Sequence, residues 1–458
     1  MARRRYQVDP LRLAVLLVVG VLFVVGGFVL AAPGDLDPSF GTNGKVITEF
    51  DQYVLFSALA LQPDGKILVV GCYQVQDEYY ITLARYISDG NLDSTFGEGG
   101  KVLFPSPNAL LGCASAVVLQ PDGHIVVAGT RDEGTDWRGI LLRYAPDGSL
   151  DESFGVAGLV KNNEGTSWRT AAVQSDGSIV AAGGMELGYQ SVFTVSRYDT
   201  MGQPDVTFGV NGMVTTTIGN DEDASAINAL LIQPDGKIVV GGNTENFQEG
   251  YSDIAVARYM PSGELDTSFD IDGIVVADRD EHDYLSDLAL DNSNRILIAG
   301  GSYYNAGRAG DVSLGVLLGR LMPDGEFDGF GTGLWAERYT EPMLWGISDI
   351  ALQADGKIVA VGPSNVWTGY PLSGQHGDFI VARYTESGFL DQSFGTAGVA
   401  APYFTPLDDS AQAVAIQPDG RIVVAGRADG DFALARYRVD QGSPTRHLYL
   451  PVLHQPLP

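Results

Sequence analysis

Runs of apolar residues alternate with short polar turns along the chain, and the same short sequence motif recurs. The recurring stretches are "LQPDGKILVVG", "LQPDGHIVVAG", "VQSDGSIVAAG", "IQPDGKIVVGG", "LDNSNRILIAG", "LQADGKIVAVG" and "IQPDGRIVVAG". Their turn positions are about 59 residues apart on average and are occupied by Gly65, Gly123, Gly177, Gly236, Asn294, Gly356 and Gly420. Continuous β-branched runs such as "KILVV" are typical of strands buried on both faces. The pattern therefore predicts seven copies of one β-unit.

Each copy has the chemistry of a hairpin turn between two strands. Proline presets φ, aspartate bonds its own backbone, and glycine takes the left-handed conformation that the turn needs. The one copy without this glycine has Asn294, the residue type that best tolerates the same conformation. Four strands fit each unit, and in the first they are "SALALQ", "KILVVG", "ITLARY" and "GKVLF". Repeated four-stranded units that are too thin for a core of their own predict a β-propeller.

The two ends of the repeat region predict that the ring closes. The text of residues 34–50, "GDLDPSFGTNGKVITEF", matches the end of a unit, whereas the last unit stops after "LARY" at Tyr437. A strand near Lys45 to Glu49 should therefore complete the seventh blade and cover two sheet edges. We predict an all-β, seven-bladed propeller of four-stranded blades over residues 34–438.

A charge pair repeats with the same period. Each "ARY"-type arginine precedes an aspartate by eight residues, except that the last arginine has no such partner and the first aspartate has no arginine before it. Seven arginines match seven aspartates only if the ring closes. We interpret them as structural pairs rather than as a ligand-binding ring: Arg85 with Asp93, Arg143 with Asp151, Arg197 with Asp205, Arg258 with Asp266, Arg320 with Asp328, Arg383 with Asp391, and Arg436 with Asp37.

These motifs together resemble a known repeat family. A period near 60, with "QPDGKIVV", then "ARY", then "GxLDxSFGxxG", resembles the delta-60 repeat, a β-propeller family of unknown function. The resemblance covers about residues 34–438, and the text departs from the pattern at "LDNSN", "LGRL" and "GEFDGFG". It implies a propeller-like fold in an exported bacterial protein, and it implies no catalytic residues.

The two termini differ from the repeats. Residues 1–31 join a basic "MARRRYQVDPLR" to an apolar core, and Leu13 to Ala32 carry no charge. This is the pattern of an export signal, with an uncleaved membrane anchor as the alternative. It predicts an extracellular or cell-surface protein that touches a membrane only through this segment, if the segment is retained. The tail, residues 439–458, ends in "HLYLPVLHQPLP", which we interpret as a docking or sorting segment.

The net charge and the motifs of the chain restrict which partners and reactions are plausible. A net charge of -29 makes nucleic acid an unsuitable partner, because phosphate binding needs clustered Lys and Arg. The chain has no GxSxG, HExxH or phosphate-loop motif, so no catalytic residue and no cofactor is predicted. Oxygen ligands for calcium are dense in "NDED", residues 220–223, and "DRDEHD", residues 278–283, but neither has a calcium-loop spacing.

Spacings within the repeat separate two faces of the predicted disc. The distance from turn residue to closing glycine is always six, and the arginine lies eleven residues before the "SFG" phenylalanine in all complete copies but one. The remaining connections vary; closing glycine to arginine ranges from 10 to 21 residues. Because strands alternate in direction, the constant turns share one face, here called the fixed-turn face. The variable connections share the other, the variable-loop face, which is the candidate binding surface.

Aromatic and acidic residues are common in the variable loops. Exposed Tyr and Trp suit glycan or protein ligands, although the rings could instead cover loop backbone. His282 and His376 also lie in these loops, whereas His124 lies beside a fixed turn, where we expect it to be exposed and without a role. Cys72 and Cys113 fall on the variable-loop face of adjacent blades and could form a disulfide. The candidate ligand-binding residues are Trp137, Tyr189, Tyr251, Tyr304 and Trp367.

The sequence leaves two classes of function open. The first is an exported, non-enzymatic binding or scaffold propeller for a glycan or protein ligand. The alternative is an exported lyase or hydrolase that acts on surface polymers. An enzyme should gather ionisable groups with shifted pKa values around one pocket on the variable-loop face.

Overall fold

A computed structural model describes the chain over most of its repeat region. The described residues are 32–75, 78–103, 112–132, 137–162, 165–187, 190–219, 224–246, 250–277, 282–305, 312–331, 335–338, 344, 346–364, 378–406 and 409–439. Within the described residues, no helix is long and apolar enough to span a membrane. The predicted export signal (1–31) and all but the first residue of the predicted tail lie outside these ranges.

The first four blades, numbered by their turn residues, are antiparallel sheets of four sequential strands. Blade one comprises β2 (Val54–Leu61), β3 (Ile67–Val75), β4 (Glu78–Tyr86) and β5 (Lys101–Leu103). Blade two comprises β6 (Gly112–Leu119), β7 (Ile125–Asp132), β8 (Trp137–Tyr144) and β9 (Leu159–Lys161). Blade three comprises β10 (Thr166–Val173), β11 (Ile179–Leu187), β12 (Gln190–Tyr198) and β13 (Met213–Thr216). Blade four comprises β14 (Ala224–Ile232), β15 (Ile238–Asn246), β16 (Tyr251–Tyr259) and β17 (Ile274–Ala277).

The last three blades keep the same order, with one exchange of strand. Blade five comprises β18 (His282–Leu290), β19 (Ile296–Asn305), β20 (Val312–Leu321) and β21 (Trp335–Arg338). Blade six comprises β22 (Asp349–Leu352), β23 (Ile358–Ser364), β24 (Asp378–Tyr384) and β25 (Val399–Ala400). Blade seven comprises β26 (Asp409–Ile416), β27 (Ile422–Ala428) and β28 (Asp431–Tyr437), and its fourth strand is β1 (Lys45–Thr48).

Strand β1 confirms the predicted closure. It pairs antiparallel with β28, from Lys45 opposite Ala435 to Thr48 opposite Phe432. The first strand of each blade contacts the first strand of the next, and β26 contacts β2. The seven first strands therefore line the centre of the ring. The predicted fold class, an all-β propeller of seven four-stranded blades closed by the N-terminal strand, is confirmed.

The continuous apolar run of each second strand serves two cores at once. In β3, Ile67, Leu68, Val69 and Val70 are all fully buried. Ile67 and Val69 pack in a cluster shared with blade seven, whereas Leu68 and Val70 pack in one shared with blade two. Each such side chain contributes roughly 1.5–3 kcal/mol on burial. The blades are therefore stabilised by stacking on their neighbours.

The turns have the conformation that their residue types predict. Gly65 has a φ of 83°, and Asn294, which replaces glycine in the fifth copy, has a φ of 59°.

The three departures from the repeat sequence, "LDNSN", "LGRL" and "GEFDGFG", all lie in blade five. This blade nevertheless keeps four strands.

Candidate functional site on the variable-loop face

On the fixed-turn face, each repeated arginine bonds to an aspartate of its own unit, and six of the seven also donate to a main-chain carbonyl of the next blade. Arg258 is typical: its Nε donates to Asp266 at 2.7 Å, and its Nη1 donates to the Pro323 carbonyl of blade five at 2.5 Å. Its guanidinium carbon lies 4.5 Å from the centre of the Phe269 ring, within cation–π range. All seven arginines donate through Nε to their aspartates at 2.7–3.0 Å, and all seven cover the "SFG"-type phenylalanine at 4.3–4.8 Å.

The closing pair follows the same geometry across the two ends of the chain. Arg436 donates from Nε to Asp37 at 3.0 Å and from Nη1 to the Ser88 carbonyl of blade one. Its guanidinium covers Phe40 at 4.7 Å. All seven predicted Arg–Asp pairs are thus hydrogen-bonded, and six of the arginines also connect their blade to the next.

A basic residue follows the turn residue in six of the seven copies and contacts the repeated aspartate, a contact that was not predicted from the sequence. Lys66 Nζ lies 3.4 Å from Asp93 Oδ2 and 3.1 Å from Asp64 Oδ2. His124 occupies the same position in blade two, and its Nε2 lies 3.5 Å from Asp151 Oδ2. The expectation that His124 has no role is therefore wrong. The repeat spacing could have revealed this contact, because Lys or Arg stands at the position in five of the seven copies.

These contacts change the proton affinity of the fixed-turn aspartates. Burial alone would raise the pKa of Asp93, but two hydrogen bonds from Thr95 and the charges of Arg85 and Lys66 outweigh it. The pKa of Asp93 falls to about 2. The lowered pKa favours the ionised carboxylate of Asp93, which is already engaged with Thr95, Arg85 and Lys66.

The variable-loop face exposes its aromatic rings instead. Trp137, at the start of β8, is 57% exposed, and Tyr251, at the start of β16, is 36% exposed. Tyr304 lies near the end of β19, but its side chain is outside the described residues. Tyr189 and Trp367 lie outside the described residues altogether.

The two acidic segments in which oxygen ligands are dense are described only in part. Residues 220–223 and 278–281 lie outside the described ranges, so of these two segments only His282 and Asp283 are described. Within the ranges that the structure covers, no three His, Cys, Asp or Glu side chains are placed to hold a metal ion.

Three rings meet at the boundary between blades four and five. His282, the first residue of β18, stacks on Tyr303 of β19 with ring centres 4.3 Å apart and planes 8° apart. Tyr251 of blade four contacts the same imidazole edge-on, with centres 5.3 Å apart. Both tyrosines are 36% exposed. We call Tyr251, His282 and Tyr303 the aromatic cluster.

Strand register explains which tyrosine joins the cluster. His282 lies directly opposite Tyr303 in the β18–β19 pair, and cross-strand pairs of this kind bring side chains together on one face of a sheet. Tyr304, the residue predicted from the sequence, is the neighbour of Tyr303 along β19. The sequence alone does not show which of the two tyrosines lies opposite His282, because the register between β18 and β19 is not visible in it.

Two glycines allow a further tyrosine to lie between blades five and six. Tyr284 of β18 approaches Gly301 and Gly346 so closely that a Cβ on either glycine would clash with its hydroxyl. Burial raises the pKa of this phenol. Blade five thus carries aromatic residues both at its rim and deeper along its inner strand.

A disulfide joins blades one and two in the part of the strands nearer the variable-loop face. Cys72 of β3 and Cys113 of β6 are bonded, with Cα atoms 5.1 Å apart. The bond closes a loop of 41 residues in the sequence.

Comparisons with known proteins agree with the repeat architecture. The family model described as "Domain of unknown function (DUF5122) beta-propeller" matches residues 62–96, 120–154, 174–208, 233–269, 353–394 and 417–443. These six segments lie in every blade except blade five. No curated protein matches the chain.

Solved structures resemble the chain only distantly. The polysaccharide lyase Uly1 is 11% identical, with 90% of this chain and 98% of that chain covered and a TM-score of 0.49. Drosophila Semaphorin 1a, extracellular domains 1–2, is 9% identical, with 85% and 87% covered and a TM-score of 0.47. The β-propeller domain of the Trilobed protease from Pyrococcus furiosus is 11% identical, with 86% and 95% covered and a TM-score of 0.42. Similarities this weak give no indication of what the chain binds.

Proposed function

We propose that this β-propeller is an exported, non-enzymatic binding module of the delta-60 repeat type, and that its variable-loop face binds a neutral glycan. The observation that carries the proposal is the aromatic cluster of Tyr251, His282 and Tyr303, exposed between blades four and five.

The chemistry of the cluster suits a sugar ring. Tyrosine presents a large, stiff apolar surface with a hydroxyl that can bond a polar ligand, at a small cost in conformational entropy. The loops around the cluster in sequence, "NTENFQEGYSD" and "DRDEHD", are rich in hydrogen-bonding oxygens. A chain with a net charge of -29 repels polyanions, which favours a neutral glycan over an acidic one.

Two observations support export. The Cys72–Cys113 disulfide is of the kind that persists in oxidising compartments. The apolar segment that follows the basic N-terminus has the composition of an export signal or anchor. We therefore propose an extracellular or cell-surface location.

The enzyme alternative requires ionisable groups that are free to act on a substrate. One carboxyl pair in the described part of the chain, Asp287 and Asp349, has raised pKa values, because burial disfavours the charged forms. Main-chain N–H groups of Ile350 and Val414 already donate to these carboxyl groups. A pair so engaged favours a structural role, and we therefore prefer binding to catalysis.

A glycan array probed with the full-length protein tests the proposal. We expect wild-type protein to bind a set of neutral glycans, and Tyr251→Ala and Tyr303→Ala each to weaken that binding about tenfold or more. The matched control is Tyr403→Ala, which removes a 61% exposed tyrosine that follows the fourth strand of blade six. This control should change binding less than about twofold.

Three outcomes would overturn the proposal. Unchanged glycan binding by both cluster variants would show that the binding site does not include the aromatic cluster. A failure of wild-type protein to bind any glycan, combined with capture of a purified surface protein, would favour a protein ligand. Cleavage of a bound glycan during incubation would favour the enzyme.

A further inference from the structure

Two aspartates occupy one position of the repeat in two consecutive blades. Asp287 and Asp349 each stand seven residues before the turn residue, on the inner strands β18 and β22. The other five copies have small side chains there: Ala58, Ala116, Thr170, Ala229 and Ala413. Blades five and six therefore share a chemical feature that the rest of the ring lacks.

The two carboxyl groups connect three blades. Asp287 Oδ2 accepts a hydrogen bond from the main-chain N–H of Ile350 in blade six, at 3.0 Å. Asp349 Oδ2 accepts one from the N–H of Val414 in blade seven, at 2.6 Å. Each aspartate thus reaches the inner strand of the following blade.

One main-chain donor brings the two carboxyl groups together: the Ile350 N–H lies 3.0 Å from Asp287 Oδ2 and 2.9 Å from Asp349 Oδ1. Two carboxyl groups that share one site repel each other when both are ionised, so this arrangement favours a pair that holds at least one proton. Burial, followed by repulsion from the Asp349 charge, raises the pKa of Asp287 well above its usual range. Burial likewise raises the pKa of Asp349.

Other inner strands are joined by neutral groups. The side chain of Asn228 in blade four donates to the Leu285 carbonyl of blade five at 2.8 Å, and Ser115 of blade two donates to the Trp168 carbonyl of blade three at 2.8 Å. These contacts do not titrate near neutral pH. The aspartate pair therefore differs from these contacts, because it can take up or release a proton.

The neighbouring strands supply little charge to balance the pair. On β18, His282 and Asp283 lie toward the variable-loop end, and on β26 the nearest charge is Asp409, which bonds to Thr405. Strands β14, β19 and β23 carry no carboxylate and no basic side chain, and β22 carries none besides Asp349.

Strands β15 and β16 also contact β18; β15 carries Glu245, and β16 carries Asp253 and Arg258, whose guanidinium is already bonded to Asp266. Ionisation of both aspartates would therefore add two like charges to a region where the one arginine on these strands already has a carboxylate partner.

We propose that Asp287 and Asp349 form a shared-proton latch that ties the inner strands of blades five, six and seven together and is released as pH rises. The protonated pair bonds both within itself and to the next blades. Loss of the last proton replaces the carboxyl–carboxyl bond with repulsion between two half-buried charges. The latch does not depend on the identity of the ligand, although β18 carries both Asp287 and the cluster residue His282.

The direction of the pH effect follows from the sign of the shift. A carboxyl group with a raised pKa in the folded state binds its proton more tightly there than in the unfolded chain. The stabilising contribution is therefore complete below the ordinary carboxyl pKa of about 4 and is lost as pH rises through the raised value. Salt-bridged aspartates have the opposite dependence.

Thermal unfolding of the full-length protein from pH 5 to pH 9 tests the latch. Asp287→Asn fixes the pair in a neutral–ionised state, and the amide can still donate to Asp349 and accept from Ile350 N–H. We expect the melting temperature of wild-type protein to fall relative to that of Asp287→Asn as pH rises. The matched control is Asp176→Asn in an exposed turn of blade three, which should retain the wild-type dependence.

Infrared spectroscopy supplies a second readout that does not require unfolding. Wild-type protein at neutral pH should show the carbonyl stretch of a protonated carboxyl group, and Asp287→Asn should lose it. The latch is refuted if wild type and Asp287→Asn lose stability in parallel as pH rises. It is equally refuted if folded wild-type protein has no protonated carboxyl band at neutral pH.

Discussion

The two faces of the propeller are made from the same repeats but differ in what their side chains do. On the fixed-turn face, seven arginines bond seven aspartates and cover seven phenylalanines with nearly constant geometry. On the variable-loop face, connection lengths differ, and rings such as Trp137 and Tyr251 are exposed. The repeated sequence therefore encodes the scaffold, whereas the loops whose sequence differs between copies are exposed and available for binding.

Differences between copies are concentrated in blade five. This blade contains the three departures from the repeat text, two of the three cluster residues, and Asp287 of the latch. It is also the blade that the matched family segments leave out. Two of its unusual residues share one inner strand, β18, with His282 at the rim and Asp287 within the ring.

Breaking a fixed-turn pair should have the largest effect on stability. Arg383 is fully buried, and its removal would leave the buried Asp391 with Lys357, whose Nζ is 3.6 Å from Oδ2, in place of a close hydrogen-bonded partner. We expect Arg383→Ala to lower the free energy of unfolding by about 3–5 kcal/mol in urea titrations. Arg197→Ala should cost less, because that side chain is 11% exposed.

Arg438→Ala is the control for this comparison. Arg438 is 37% exposed and lies 4.0 Å from Asp37, so its loss should cost less than about 1 kcal/mol. Equal losses for Arg383→Ala and Arg438→Ala would show that the buried network contributes no special stability.

Opening the disulfide should have the next largest effect, this time nearer the variable-loop face. The bond closes 41 residues, and Cys72→Ala with Cys113→Ala should lower the free energy of unfolding by about 2–4 kcal/mol. Wild-type protein in reductant should show a similar loss, measured by the same titration. Unchanged stability in both experiments would mean that blades one and two need no covalent link.

The fixed-turn face should weaken in acid, opposite to the latch. Asp93 has its pKa lowered to about 2, so its contribution is present above the ordinary value of about 4 and is lost as pH falls toward 2. Unfolding titrations of Asp93→Asn should show a shallower loss of stability than wild type over this range. If the free energy of unfolding fell with pH equally steeply in both proteins, protonation of Asp93 would not contribute to acid unfolding.

Substitutions in the aromatic cluster should have the smallest effect on stability. Tyr303→Ala removes a ring that is 36% exposed, and we expect a loss of about 1 kcal/mol or less in the free energy of unfolding. Glycan binding should nevertheless fall in the same variant. A large loss of stability would indicate that the ring covers the loop backbone, as the sequence analysis also considered.

The sequence predicted the fold and the fixed-turn network because both repeat. The turn glycines, the eight-residue Arg–Asp spacing and the unit-like text before Lys45 are each visible in one chain. Only part of the aromatic cluster could be predicted from the sequence, because the choice of Tyr303 over Tyr304 requires the β18–β19 register. The Asp287–Asp349 pair is visible when the copies are aligned on their turns, but its contact exists only because the ring brings neighbouring inner strands together.

Hydrogen exchange with a bound glycan tests the central claim most directly. Full-length protein would be labelled with and without the tightest ligand from the array, and exchange compared peptide by peptide. We predict slower exchange in peptides that contain Tyr251 and in those spanning 282–305, with no change in the fixed turn of residues 88–96. Protection confined to fixed turns, or absent from blades four and five, would contradict a binding site on the variable-loop face.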